Sequence, residues 1–296
     1  MSAILLLFYA VFLSQIFLIS YYFPMKIRSR ILYVIKNYPP KEYPKLYPKP
    51  YDFYAEKAAK SGLSTYRNIN LFIAAIGLGI LVWALASGYS PHPLSGDEIF
   101  VMLYLLLQVA PILYAEIRTF KLYWGMREAN VGGSRKAELN PRNLFDFISP
   151  AFVALAVLLY AGFIVFYLYN KGFTAPWEWE VYVTLAAITG MNLLFAGMIA
   201  KHLVGKKLNP HQAHKDRLRQ IETIVKIGIF ASIAASVFLI LTSLVDKYEL
   251  EVFDPVLTSL YFQIITFFGL GLEFRTVKVE TVDFSVYKED KPVTPT

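Results

Sequence analysis

Cysteine is absent from this sequence of 296 residues, and charged residues make up only 17% of it. Without cysteine the chain has no disulfide, no thiolate metal site and no cysteine nucleophile, and the redox state of its compartment cannot be inferred. Long polar regions are missing as well, because apolar stretches and their short connections use up most of the chain. The sequence therefore leaves no room for a soluble catalytic domain, and any function resides in the apolar stretches or the loops between them.

Seven apolar stretches of about 20 residues are present, which is the length that a helix needs to cross the hydrocarbon of a bilayer. They predict an all-α fold, a polytopic transmembrane helical bundle that forms a single integral membrane domain. The first begins close to Met1 without a basic region or cleavage site, and predicts a retained helix. The predicted spans are Ala3–Phe23, Leu71–Tyr89, Val101–Phe120, Ala151–Tyr169, Tyr182–Ala200, Val225–Val245 and Leu257–Phe274.

Lys and Arg are distributed very unevenly between the two sets of connections. Of the 29, 27 belong to the segments on one side, which we call the basic face, and only Lys171 and Lys247 to the opposite face. Basic loops stay in the cytoplasm, so the N-terminus is predicted outside and the C-terminus inside, most simply in a bacterial inner membrane. The net charge of +7 thereby reflects topology and anionic headgroups at the basic face, and nucleic acid is not an expected partner.

Ionisable groups are scarce within the spans, where the only carboxylates are Glu116 and Glu273, both near a span end. Ion-coupled carriers keep such groups at the membrane centre, so a proton or sodium relay is not expected. Uncharged polar residues remain, chiefly Gln108, Asn192 and Gln263. Such residues more often join helices than bind a substrate, and the alternative is that these three line a pathway.

A strip rich in tyrosine and proline follows the first span, in a predicted cytoplasmic loop over residues 24–70. Proline supplies no amide donor and disfavours the α region for the residue before it, so an extended strip is predicted. It is either a plain linker or a docking strip whose rings and lysine stems lie along headgroups or a partner protein. Its tyrosines are Tyr38, Tyr43, Tyr47 and Tyr51.

Two Asn-Pro pairs, Asn140-Pro141 and Asn209-Pro210, stand ahead of the fourth and sixth spans. Asparagine as N-cap followed by proline at the first helical position is a helix start signal. Both pairs are therefore predicted to begin helices that continue into these spans.

An internal repeat relates residues 71–121 to 228–278 at a constant offset, which makes the second and third spans similar to the sixth and seventh. With the middle pair, hairpins 71–120, 151–200 and 225–274 would surround an axis along the membrane normal, with the first span at the periphery. The third and seventh spans share the ending Glu-x-Arg-Thr-x-Lys. This similarity suggests ion pairs between the repeats, Glu116 with Arg275 and Glu273 with Arg118, before the cytoplasmic tail 275–296.

Three of the four histidines, His202, His211 and His214, lie in one basic loop. Two of them are three residues apart and would share a helix face, and these imidazoles together with Asp216 are one possible ligand set for a divalent metal. Nearby lysines oppose a cation and no glutamate stands at the spacing of a zinc hydrolase, so no metal or other cofactor is predicted.

Three functions stay open. The first is a non-enzymatic accessory or scaffold subunit that docks partners or lipids through its basic loops, as a homo-oligomer or with another membrane protein. The second is an uncoupled facilitator or channel for a small or apolar solute along the pseudo-symmetry axis. The third is a lipid-modifying enzyme that uses the histidine loop. A dry, packed axis favours the first, and a continuous wet path the second.

Overall fold

The computed structural model describes residues 3–48, 56–89, 97–130, 142–205 and 207–289, and within these ranges it contains helices and turns but no strand. Seven helices in them are long and apolar enough to cross a membrane, which confirms the predicted helical membrane bundle and its number of spans. They are α1 (Ala3–Asn37), α2 (Glu56–Ala86), α3 (Asp97–Ala129), α4 (Pro150–Lys171), α5 (Trp179–Val204), α6 (His214–Lys247) and α7, which consists of Asp254–Thr266, Phe267–Gly271 and Leu272–Thr276.

Local signals explain where α4 begins and ends. The Ser149 hydroxyl accepts a hydrogen bond from the amide of Ala151, and Pro150 occupies the first helical position, where its missing amide proton costs nothing. The helix ends at Gly172, whose φ of +88° is a conformation that L side chains rarely adopt.

The predicted start of α6 at Asn209-Pro210 is wrong, because the helix begins at His214. The Asn209 side chain is already engaged in a turn, where its Oδ1 accepts from the His211 amide at 3.1 Å. Its Nδ2 donates to the Tyr287 hydroxyl at 2.6 Å. The other pair, Asn140-Pro141, lies outside the described residues, as does Tyr51.

The first span occupies the centre of one helix group, and the expectation that it lies at the periphery is wrong. Helix α1 packs against α2, α3 and α7, and 39% of its apolar window is buried, the largest share among the seven helices. Phe8, Phe12 and Ile16 face the same core as Ile73 and Tyr104. This first group places α1 between the two hairpins that the repeat relates.

A second group consists of α4, α5 and α6. Both α4 and α5 pack along α6, and barely against each other, so a groove is left between them. Phe163, Ile188 and Ala235, one from each helix, are almost fully buried together. Helix α6 also packs against α7, which joins the two groups.

The predicted loop 24–70 is helical at both ends, since α1 continues to Asn37 and α2 begins at Glu56. Between them, the described part of the strip, residues 38–48, is folded instead of extended. The amide of Tyr43 donates to Pro39 O at 3.1 Å, and Pro44 begins a 3-10 turn that ends at Leu46. Proline suits such turns because its fixed φ matches their first position.

Candidate functional site

Uncharged polar side chains form a buried hydrogen-bond network within the first helix group. Gln15 Nε2 of α1 donates to Gln108 Oε1 of α3 at 2.8 Å, and Gln108 Nε2 donates to Ser20 Oγ at 2.8 Å. Ser259 Oγ of α7 donates to Gln15 Oε1 at 2.5 Å. All four side chains are almost completely buried. Polar groups in an apolar interior stabilise it only when they are paired, and these pair with one another.

Two further side chains extend this network along α7 and α3. Gln263 Nε2 donates to the Val11 carbonyl at 3.0 Å, and Gln263 Oε1 accepts from Ser14 Oγ at 2.8 Å. The Tyr104 hydroxyl donates to the Ile73 carbonyl of α2 at 3.0 Å. These bonds tie α1 to α3 and α7, and Tyr104 ties α3 to α2. We call this set of bonds the polar network.

A segment of π-helix in α1 makes this geometry available. In an α-helix, residues five apart such as Gln15 and Ser20 point about 140° away from each other. Residues Ile16–Tyr22 form a π-helix, whose hydrogen bonds join residues five apart and bring them towards one face. Gln108 therefore bonds both side chains at once.

Of the three predicted pathway residues, the polar network brings Gln108 and Gln263 close to each other and leaves Asn192 apart. Asn192 lies on α5 in the second group, where its Nδ2 donates to the Ile188 carbonyl at 2.9 Å and its Oδ1 accepts from Ser232 Oγ of α6. Sequence reasoning missed the role of Ser259. Its only signal is the spacing of four residues from Gln263, which places both on one face of α7.

The two carboxylates of the spans lie in a polar region at the basic end of the first group. Glu273 interacts electrostatically with Glu116 and with Arg30. Nearby, Asn70 of α2 is completely buried, and its Oδ1 has no hydrogen-bond partner among the described residues. The Tyr66 hydroxyl is likewise buried without a partner there. This unsatisfied polar region was not foreseen, because its members come from four helices.

The two arginines of the repeated ending have different surroundings. Arg275 is exposed, and Arg118 lies over the Tyr114 ring, 5.6 Å from its centroid. Within the described residues no ion pair of 4 Å or less joins Glu116 to Arg275 or Glu273 to Arg118. Arg30, from the helix that separates the repeats, interacts electrostatically with Glu273, and the pairs between the repeats stay a prediction.

On the basic face, the strip after α1 packs against the tail of the same chain. The rings of Tyr38 and Phe284 are stacked, with centroids 3.8 Å apart, and Tyr43 meets Tyr38 edge-on at 5.1 Å. Tyr47, which is buried, donates from its hydroxyl to the Tyr38 carbonyl at 2.6 Å. Met126 of α3 is fully buried in the same cluster. We call the assembly of residues 38–48 and 277–289 the cap.

The start of α6 and the turn before it hold the tail from the other side. Asp216 Oδ2 accepts from the Asp283 amide at 2.9 Å, and Arg219 Nη1 donates to Thr281 Oγ1 at 2.9 Å. Tyr287 is buried beside Asn209, and burial raises the pKa of its hydroxyl to about 12. The cap is thus fixed by hydrogen bonds as well as by aromatic packing.

The histidines serve this local structure. The His211 ring meets Tyr287 edge-on at 6.2 Å, and His202 Nδ1 lies 2.8 Å from the Met198 carbonyl. No group of three or more His, Asp or Glu side chains that would hold a metal ion is found in the part of the chain that the structure describes. His214 is the first residue of α6.

Comparisons with known proteins add no relative to this picture. No protein-family model matches the chain, and neither a curated protein nor a solved structure shows significant similarity to it. The functional argument therefore rests on the polar network, the cap and the groove between α4 and α5.

Proposed function

We propose that this chain is a non-enzymatic multi-pass membrane protein, an accessory or scaffold subunit that docks partners or lipids through its basic face. In this proposal the basic face is cytoplasmic and the membrane is of the bacterial inner type. The observation that carries it is the cap, a folded platform which the chain builds from its own strip, tail and α6 turn.

The outer surface of the cap supports docking. Its aromatic side chains point inwards, whereas Lys36, Lys41, Lys278 and Lys288 are exposed. Lysines beside a membrane attract anionic headgroups and acidic protein surfaces. The carboxylates of Glu42, Glu280, Asp283 and Glu289 are exposed on the same surface, so the cap also offers partners for the basic groups of a docking protein. The strip itself is fixed to the tail, so the docking surface consists of the lysines that surround it, and the tyrosines stabilise the platform.

The polar network supports a structural role over a facilitator. A pathway along the first group would need Gln108 and Gln263 to face water. Both are hydrogen-bonded to neighbouring helices, and Gln108 is completely buried. The proposed repeat of hairpins 71–120 and 225–274 is compatible with this arrangement, in which α1 is hydrogen-bonded to a helix of each hairpin.

Docking can be tested by cross-linking in intact membranes. Because the chain contains no cysteine, each introduced cysteine is unique. Lys41→Cys and Lys288→Cys place it on the cap, and Phe173→Cys, at an exposed position of the opposite face, is the matched control. A thiol-reactive cross-linker should give adducts of defined mass from the two cap positions and none from the control.

Measuring solute flux across liposomes tests the alternative function, a facilitator. Liposomes that contain the purified protein should show the same glycerol permeability as protein-free liposomes. Enhanced permeability that disappears in a Gln108→Leu variant, together with no cap adduct, would overturn the scaffold and favour the facilitator.

A further inference from the structure

The groove between α4 and α5 is a cavity of about 490 Å³, with α6 as its floor. This volume falls within the range of roughly 300–1,000 Å³ that is typical of sites for small molecules. Val153 of α4, Ala196 of α5 and Ile229 of α6 contribute apolar surface to its walls. A molecule that binds between these walls is therefore expected to be apolar over most of its length.

The groove is closed at one end. The Tyr160 hydroxyl lies 2.8 Å from Thr189 Oγ1, a hydrogen bond that joins α4 to α5 across it. Further along α4, Phe163 is fully buried against Ile188. The polar groups along the walls are therefore bonded to each other, and the closed end suits the end of a hydrocarbon chain.

Three cationic side chains gather at the other end, beside the lining residues Leu144 and Leu203. Arg142 Nη1 donates to the Leu203 carbonyl at 3.0 Å, and Arg217 Nη2 donates to the Gly205 carbonyl at 2.5 Å. Leu203 is in the last turn of α5 and Gly205 is its C-cap residue, and cations at this end of a helix interact favourably with the helix dipole. Lys207 completes the group, and its Nζ donates to the Gln212 carbonyl at 3.0 Å.

The three cations oppose one another. Burial, followed by the charges of Arg217 and Arg142, lowers the pKa of Lys207. Burial, followed by the charge of Arg217, lowers the pKa of Arg142. A phosphate beside them would form charge-assisted hydrogen bonds with cations that the fold already brings together.

We propose that the groove binds one anionic phospholipid, with an acyl chain between α4 and α5 and its phosphate at Arg142, Lys207 and Arg217. Charge complementarity selects this occupant, because an apolar channel that ends in three cations matches a lipid with an anionic headgroup. Basic pockets between membrane helices bind headgroups in this manner. This site makes the proposed function more specific. It rests on that function, which assigns lipids to the basic face.

Native mass spectrometry of the purified full chain tests the site, with phosphatidylglycerol as the probe and phosphatidylcholine as the zwitterionic comparison. One tightly bound phosphatidylglycerol is expected, with weaker phosphatidylcholine binding. Removing two cations in Arg142→Gln/Lys207→Gln should weaken phosphatidylglycerol binding roughly tenfold or more. The matched control Lys171→Gln/Lys247→Gln, which removes the same charge from the face opposite to the basic face, should leave it unchanged.

A groove-filling variant tests the acyl chain without touching a charge. Ala196 is exposed in the groove wall, so Ala196→Trp occupies the cavity without a clash in the core, whereas Leu194→Trp on the same helix lies outside it. Loss of the bound lipid only in Ala196→Trp supports the proposal. Retention of the lipid in Ala196→Trp, or its equal loss in both charge variants, would overturn the groove site. Cross-linking at the cap is measured separately from lipid binding. Failure of the scaffold proposal and failure of the lipid-site proposal therefore give different results.

Discussion

Tyr38 stacks on Phe284, with ring centroids 3.8 Å apart and ring planes within 20° of parallel. This contact joins the segment after the first span to a tail that follows the last one. A stacked pair contributes roughly 0.5–1.5 kcal/mol beyond the apolar area that it buries. Closure of the cap therefore depends on residues at opposite ends of the chain.

Phe284→Ala should open the cap while leaving the seven spans intact. Loss of a buried phenylalanine costs about 3–5 kcal/mol where the surroundings do not collapse. Limited proteolysis in mild detergent should cut the variant near residues 278–289 at a protease concentration that spares the parent. Phe173→Ala, at an exposed position, is the control and should behave like the parent. Equal resistance of both variants would contradict a packed cap.

High pH should loosen the cap through Tyr287. Burial raises its folded pKa to about 12, from 10.0 as the ordinary value, so the neutral hydroxyl is favoured in the folded chain. Its contribution to stability is fully present below pH 10 and is lost as the pH rises from 10 to about 12, at about 1.4 kcal/mol per pH unit.

Tyr287→Phe isolates this effect from the titration of other groups. At neutral pH the variant should lose about 1 kcal/mol, because Asn209 Nδ2 loses its acceptor. Between pH 10 and 12 its tail protection, measured by hydrogen exchange, should fall less steeply than that of the parent. If tail protection fell equally steeply with pH in the variant and in the parent, Tyr287 would not be titrating as a buried group.

Gly77 and Gly79 provide a matched pair within α2. A Cβ at Gly77 would lie 2.1 Å from the Tyr104 hydroxyl oxygen and 2.5 Å from its Cζ, whereas a Cβ at Gly79 meets no atom within 4 Å. Gly77→Ala should therefore lower the thermal stability in detergent by about 1–3 kcal/mol. Gly79→Ala should be neutral or stabilising by up to about 1 kcal/mol, since alanine is the better helix former. Equal effects at the two positions would contradict the close approach of α2 and α3.

A double-mutant cycle measures the central bond of the polar network. Gln15→Leu and Gln108→Leu should each destabilise the bundle by about 1–2 kcal/mol, because each leaves polar partners unpaired. The double variant should lose less than the sum, by more than about 0.5 kcal/mol. Additive losses would mean that these two side chains do not stabilise each other.

Reporter fusions test the orientation on which the proposed function relies. Fusions after Gly88, Phe173 and Glu251 should be extracytoplasmic, and fusions after Lys60 and Lys207 cytoplasmic, because Lys and Arg are concentrated on the basic face. A cytoplasmic signal after Phe173 would contradict the seven-span topology.

The spans could be predicted from the sequence because burial in lipid depends on composition and length, and both are local properties. The partners of each polar side chain could not. Gln15 carries no signal for Gln108 or Ser259 until the neighbours of α1 are known, and α1 was expected at the periphery. The strip was expected to be extended, because proline patterns alone do not reveal a tail that packs against them.

The bond between Gln15 and Ser259 joins residues that are 244 positions apart. During synthesis at about 5–20 residues per second, Ser259 follows Gln15 by roughly 12–50 s. If α1 enters the membrane as it is made, the amide oxygen of Gln15 is present there before its donor Ser259 is synthesised. Water, lipid headgroups or the insertion machinery must donate to that oxygen meanwhile. Assembly of the first group is therefore completed only when α7 is inserted, and a chain truncated before Ser259 would expose an unsatisfied amide to membrane quality control.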